Sequence, residues 1–481
     1  MSTANTLGAV IREIQDTYGA DIIENTARLN ALLMDYAPQM VKERKLLITL
    51  LNDGILPGIK KNLSDNPNNI DQVKKRAVYS LTTELWIQET AAQYVIDTII
   101  YSLGYETQAD SSAPSASSGS SAEKTVITKG ELDDREVIEE QDLKGIDTLG
   151  YKSFAFQNRL VSVVLPDTVQ SVYSKAFLGC SKLESVSFKG MVQELGDDVF
   201  SGCVHLKSVA IGRECNYTAR DGLLIDKSKN RLIRSFKNEK ATVTVANGIR
   251  VIGRRAFEGG ENREIVIPET VEEIEADAFF CMSRLQTINV SPHNRNYRSY
   301  EGVLHDKSGS VLIRYPWGRK EQSYFLEETV SSIGEKAFSR CVNLVSITFT
   351  NSLREIRSRA FEYCSALERI VLPLSVQSIG ERAFQYCVNL KNVMLPQGIE
   401  EIGDCAFIGC QSLASISIPK NVTSIGNMAF EGCTQLKNVV IQENVKFIGD
   451  KAFDGCSDVE IKIFNNAYAA AYFNARGIKV Q

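Results

Sequence analysis

The chain has 481 residues, 43% hydrophobic and 23% charged, with a net charge of −5 and a pI near 5.6. That balance excludes a basic field for nucleic acid or an anionic membrane, and no apolar run reaches the roughly 18 residues that span a bilayer. The opening Met1–Gly8 lacks the basic flank and apolar stretch of a signal peptide, so a cytoplasmic location is expected, with secretion or surface display as the alternative.

Residues 1–105 are expected to form an all-α helical bundle. Leu7, Val10, Ile11 and Ile14 recur at helical spacing, and Gly19 and Asp21 punctuate. Ile22, Ile23, Leu29, Leu32 and Leu33 give a second stripe, then Met40, Val41, Leu46, Leu47, Leu50 and Leu51 a third, between Pro38 and Gly54. The longest stripe runs from Ile70 to Leu103, with Asn66-Pro67 as its start and Gly104 as its stop. Residues 106–123 are rich in Ser and Ala and can bury nothing. A flexible linker is expected there, its sixteen residues 108–123 having an r.m.s. span of roughly 22 Å.

Residues 124–481 are organised by one recurring phrase, I-G-x-x-A-F-x-x-C-x-x-L-x-x-I/V-x-L-P. Its Phe falls at 154, 177, 200, 257, 279, 338, 361, 384, 407, 430 and 453, and seven of the ten intervals are 23 residues, the others 57, 22 and 59. A fixed period in this range means a solenoid, whose coils bury their apolar faces only by stacking. Within a coil, Ile347 and Phe349 alternate with polar neighbours as in a half-buried strand. Ala337-Phe338 to Cys341 is expected to be a helical or 3₁₀ turn on the opposite side, entered through Gly334.

The long intervals hold two related segments, about 213–238 and 293–320. Asp221-Gly222-Leu223-Leu224-Ile225-Asp226-Lys227-Ser228 recurs as Glu301-Gly302-Val303-Leu304-His305-Asp306-Lys307-Ser308, 80 residues on. Both are predicted as β-hairpin insertions, with His305 facing solvent. Residues 465–481 are predicted to cap the last coil through an Ala- and Tyr-rich helix and an edge strand.

Eight of the eleven cysteines share one slot, three residues after the Phe: Cys180, Cys203, Cys341, Cys364, Cys387, Cys410, Cys433 and Cys456. Such a ladder, with rungs roughly 4.8 Å apart, does not converge four thiolates on one point as zinc needs. Buried, reduced thiols are expected. Cys203 and His205 lie close in sequence, but a nucleophilic thiol needs an exposed, electropositive pocket, and Cys203 occupies the inward slot.

With these residues in view, the repeats and the D/E-G-x-L-x-D-K-S segments resemble the BspA-like class of leucine-rich repeats over about residues 125–481. The resemblance implies a curved solenoid with a parallel sheet on its concave side, and protein binding. Its members are often surface or secreted adhesins, from which the missing export signal departs. Tyr18–Ile22, Arg28–Leu33 and Glu43–Leu47 are similar to a small helical module fused to varied domains in bacterial intracellular proteins, and no function is carried over from it.

No phosphate loop, zinc-protease motif or paired Cys-x-x-Cys occurs, so neither catalysis nor a metal or cofactor is expected. The candidate site is the exposed side of the strand face: Ser346, Thr348, Arg369, Val371, Asn392, Met394, Ser415, Ser417, Asn438 and Val440. Its middle carries the larger residues, and Arg and Met are enriched at protein interfaces. Tyr300, Tyr315 and Trp317 are predicted as an exposed aromatic cluster beside the second hairpin. The expected partner is a protein, with self-association through the helical module as a further possibility.

Overall fold

The computed structural model describes residues 7–24, 26–36, 89–103, 125–127, 135–212, 215–456, 459–478 and 480, with 47, 48, 51, 56, 59, 60, 70, 73, 74 and 77 besides. The linker assigned to 106–123, Pro38, Gly54, Asn66-Pro67 and Gly104 lie outside the described residues.

The first helix, α1 (Leu7–Tyr18), buries Leu7, Val10, Ile11 and Ile14 along one stripe. Gly19, at φ 99°, ends it by donating its amide to the Gln15 carbonyl at 2.9 Å, a left-handed helix stop. α1, α2 (Thr26–Tyr36) and α3 (Glu89–Ser102) share a core that includes Leu29, Leu33, Val95, Ile96, Ile99 and Ile100. Arg12 ties α1 to α3, donating from Nε to the Tyr101 carbonyl at 2.8 Å.

Residues 137–463 form a parallel β-solenoid in which each regular coil supplies two short strands. The longer strands build one ladder in three sections. The first section starts at Val137–Ile138 and ends at Ser208–Ile211, and the second runs from Thr242–Thr244 to Thr287–Val290. The third holds seven strands, from Ser323–Phe325 to Glu460–Ile463. Two-residue strands such as Ser332–Ile333, Glu355–Ile356 and Ser378–Ile379 build a second parallel ladder.

The coils are therefore β throughout rather than α/β, and the turn expected to be helical or 3₁₀ is neither. Lys336 and Arg340 both hold left-handed φ, 55° and 63°, which a right-handed helix cannot accommodate. The backbone there bonds to the next coil instead: the Phe338 amide donates to the Ala360 carbonyl at 2.8 Å and Arg340 to Glu362 at 2.7 Å. Gly334 answers a close approach, not a turn, since a Cβ there would stand 2.8 Å from the Leu312 carbonyl oxygen.

Inside, the phenylalanines form a stack. Phe338, Phe361, Phe384, Phe407, Phe430 and Phe453 follow one another at centroid distances of 4.9–5.4 Å and tilts of 3–16°. Phe473 of α4 (Ala467–Asn474) closes the stack edge-on at 5.2 Å. Asn466 caps α4 by accepting from the Ala469 amide at 2.9 Å, while its Nδ2 donates to the Val445 carbonyl at 2.8 Å.

The two long intervals differ from simple hairpin insertions. Each holds three antiparallel strands, Tyr217–Arg220, Leu223–Asp226 and Arg231–Ser235 in the first, and Tyr297–Tyr300, Val303–Asp306 and Val311–Arg314 in the second. The third strand of each set joins the short-strand ladder in parallel, so it belongs to a coil. These strands also bring a buried arginine into the slot that Ala occupies elsewhere. Arg234 donates to the Glu258 carboxylate at 3.2 Å and to the Cys203 carbonyl at 3.1 Å, and Arg314 to the Lys336 carbonyl at 2.6 Å.

His305, expected in solvent, is fully buried on the middle strand of the second set. Nδ1 lies 3.1 Å from the Val303 carbonyl and Nε2 lies 3.9 Å from Glu327. The hairpin turn points to exposure, but His305 faces the coil beneath. Burial pushes its imidazole pKa below the usual range, against the opposing pull of Glu327. The folded state thus favours the neutral ring, whereas an unfolded chain takes up a proton near pH ~6.5. This stabilising term is complete above the unfolded pKa and is lost as pH falls from there through the folded value. Urea titrations at pH 7.5 and 5.5 are expected to show a larger loss of stability for the native sequence than for His305→Gln; equal losses would remove His305 as the cause.

Candidate partner-binding face

In the seven-stranded section the middle residue of each three-residue strand is buried and its two neighbours are exposed. Parallel pairing aligns those neighbours into two outward rows. One row runs Ser323, Ser346, Arg369, Asn392, Ser415, Asn438 and Glu460, each in register with the next. The second row carries Phe325, Thr348, Val371, Met394, Ser417, Val440 and Lys462 at the companion position. All ten predicted residues lie in these rows, nine of them exposed and Val440 half-buried.

The second row is unusually apolar for a surface. Phe325 is 72% exposed, Met394 60% and Val371 43%, and Leu374 just beyond the strand is 80% exposed. Val371 and Met394 sit side by side in register. Beside them Glu368 and Lys391 pair at 3.1 Å, while Arg369 has no ion-pair partner among the described residues. An apolar stripe flanked by an unengaged guanidinium suits a protein surface better than bulk water.

The predicted aromatic cluster does not exist as one unit. Tyr315 is buried, its ring 5.0 Å from Phe338, because it stands 23 residues before Phe338 in the slot of the stacked phenylalanines. Cys341 gives the same register, its Sγ donating to the Tyr315 carbonyl at 3.9 Å. Trp317 is half-buried against Phe280, and Tyr300 alone is exposed. The slot also explains why Phe325 is missing from the predicted face. Counting ten residues on from Tyr315, as from every Phe, reaches Phe325, but a tyrosine in the phrase hides that coil.

The BspA type leucine rich repeat region matches residues 142–221, 234–301, 320–411 and 355–474, in six copies, together more than half of the chain. The chain belongs to this family of leucine-rich repeats. Among solved structures, a leucine-rich repeat protein from Eubacterium ventriosum is 22% identical, with 66% of this chain and 84% of that one covered and a TM-score of 0.46. A leucine rich cell surface protein from Faecalibacterium prausnitzii is 24% identical over 73% and 93%, with a TM-score of 0.46. A leucine-rich repeat protein from Bacteroides ovatus is 22% identical over 70% and 87%, with a TM-score of 0.36. No curated protein matches closely enough to count as a relative.

In this BspA-type solenoid the cysteine ladder has a hydrogen-bonding role that spacing alone does not disclose. Each ladder thiol donates to the carbonyl of the aromatic 26 residues earlier: Cys364 to Phe338 at 3.0 Å, Cys387 to Phe361 at 3.1 Å, Cys410 to Phe384 at 3.2 Å and Cys433 to Phe407 at 3.3 Å. A small, weakly donating side chain is what a tight bend over an inward carbonyl requires. Burial pushes the thiols of Cys341 and Cys410 up to about 12, so neither presents a thiolate. Cys203 is buried, with its thiol on the Phe177 carbonyl at 3.0 Å, while the exposed His205 lies 2.6 Å from the Ser181 carbonyl. No group of three or more His, Cys, Asp or Glu able to hold a metal occurs among the described residues.

Titration of native protein with a chromogenic aromatic disulfide is expected to modify Cys281, which is exposed, and to leave Cys180, Cys341, Cys364, Cys387, Cys410 and Cys433 untouched until denaturant is added. Cys281→Ser is expected to remove the fast native reaction, leaving at most a slower one at the half-buried Cys215 and Cys456. Rapid native modification of several ladder thiols would contradict the closed packing.

Proposed function

We propose that this leucine-rich-repeat protein is a non-enzymatic interaction scaffold, with the seven-stranded ladder as the concave wall that grips a protein partner. The helical module of residues 1–105 recruits or oligomerises. The observation that carries this reading is the exposed apolar pair Val371 and Met394, in register beside Arg369 and Asn392 on the middle strands of the ladder. Apolar and Arg anchors at the centre of a rigid, regular sheet are the features that concentrate binding energy in protein interfaces. No described helix is long and apolar enough to cross a membrane, which bears on insertion and not on compartment.

Affinity capture from a lysate of the native organism tests the proposal. The full chain and a chain lacking residues 1–123 are expected to retain the same partner, and the full chain carrying Arg369→Glu is expected to lose it. Capture by residues 1–105 alone, indifferent to Arg369, would move the function to the helical module. Fractionation of the same cells separates an intracellular scaffold from a surface adhesin, and the face serves either.

A further inference from the structure

The second break in the long-strand ladder leaves a strand edge open. The Ser346 amide donates to the Gln322 carbonyl at 3.0 Å and the Leu326 amide to the Thr348 carbonyl at 2.9 Å. Residues 322, 324 and 326 therefore turn their backbone groups toward the following rung. By alternation, the N–H and C=O of Ser323 and Phe325 point the other way, and no strand among the described residues pairs with them, since Ser323–Phe325 ends its sheet. The preceding section does not come forward to meet them. Its last strand, Thr287–Val290, is closed by the Gly302 carbonyl, which accepts from the Ile288 amide at 2.9 Å.

Between the two lies an open cleft of about 610 Å³, walled by Tyr300 and Glu301 on one side and the 323–329 segment on the other. The cleft is acidic. Glu301, Glu321, Glu327 and Glu328 line it, with Arg319 as the one cation among the described residues that do. Arg319 is held by Glu321 at 3.3 Å, and Glu327 is held by Arg298 at 2.5 Å. The Glu301 and Glu328 carboxylates are left without an ion-pair partner among the described residues. Two exposed rings, Tyr300 and Phe325, stand at the same opening.

We infer that this cleft takes an extended, cationic peptide segment, which adds as a strand to the free edge of Ser323–Phe325. The inference rests on the protein-binding reading and adds to it a second seat, away from Arg369 and Met394. Main-chain bonds to the Ser323 and Phe325 edge supply affinity, and side chains alternating along the peptide supply choice. Apolar ones lie on Phe325 and Tyr300, and Lys or Arg ones reach Glu301 and Glu328. The occupant is not a second copy of this chain, because pairing the same edge with itself would bring two acidic clefts together.

The test uses the full chain and a fluorescent octapeptide of alternating lysine and valine, followed by anisotropy. Saturable binding is expected, at least about tenfold weaker for the glutamate–valine counterpart and for a lysine–valine peptide N-methylated at alternate amides, the size of one lost strong contact. Phe325→Pro removes an outward N–H and no ladder bond, so it is expected to abolish binding with the fold retained by circular dichroism. If Phe325→Pro fails to fold, the N-methylated peptide on the native protein decides the matter. Glu301→Lys with Glu328→Lys is expected to invert the charge preference. Equal binding of the N-methylated peptide, or an unchanged preference after charge reversal, would overturn the inference. So would a dimer seen by sedimentation that Phe325→Pro abolishes and the peptide does not displace. Arg369→Glu is expected to leave peptide binding unchanged; loss of the seat with partner capture intact removes this inference alone, and loss of both removes the protein-binding reading.

Discussion

Truncating Phe384 to alanine is expected to cost ~3–5 kcal/mol, the range for a fully buried phenylalanine. Phe384 is completely buried, with Phe361 and Phe407 each 5.2 Å from its ring and tilted by 4° and 5°. The cavity cannot close by collapse. Its neighbours are fixed by bonds between coils, Phe361 amide to Ala383 carbonyl and Phe384 amide to Ala406 carbonyl, each 2.8 Å. Both bonds would survive in the variant and hold the gap open. The damage is also expected to be local. Phe384 belongs to the core that runs from Val303 to Phe473, whereas Ile138 to Phe236 form another. Stability in a solenoid is a sum over coils and their interfaces, so hydrogen exchange is expected to rise in the coils around residues 338–430 while 137–211 stay protected. Uniform loss of protection along the whole solenoid would show that the cores unfold as one.

That core is largely legible in the amino-acid sequence. A period of 23 with Phe and Cys in fixed slots specifies stacking, and the buried stripe of α1 falls where helical spacing puts it. Residues whose chemistry fits two environments are the hidden ones. Tyr315 has a hydroxyl that suggests exposure, yet its register places it in the stack, and His305 follows a turn signal while its side chain turns inward. The left-handed backbone is hidden as well. Gly179, Gly409 and Gly432 mark one of the two slots, but the other is held by Lys336, Arg359, Arg382 and Met428, side chains that carry no left-handed signal. The edge at Ser323 is illegible for a different reason. It depends on where the ladder breaks, and the turn signals that announce the antiparallel strands do not say which ladder those strands join.

The outward rows lend themselves to a change that leaves the core untouched. Arg369→Glu with Asn392→Asp places two carboxylates on neighbouring rungs, since the two positions are in register. Both side chains are exposed, and the inward residues Ile370 and Val393 are unaltered, so stability is expected to change by less than ~0.5 kcal/mol per substitution. A small further loss is expected from like charges side by side. Partner affinity is expected to fall by more than ~2 kcal/mol, because the change removes a guanidinium beside the apolar row and puts an unpaired charge into the interface. The loss should appear mainly as faster dissociation, as for a group desolvated at an interface centre. A loss confined to the association rate, and erased at high salt, would place Arg369 at the rim instead and shift the centre of contact toward Phe325 and Thr348. Full affinity in the double variant would remove the middle of the ladder from the interface altogether.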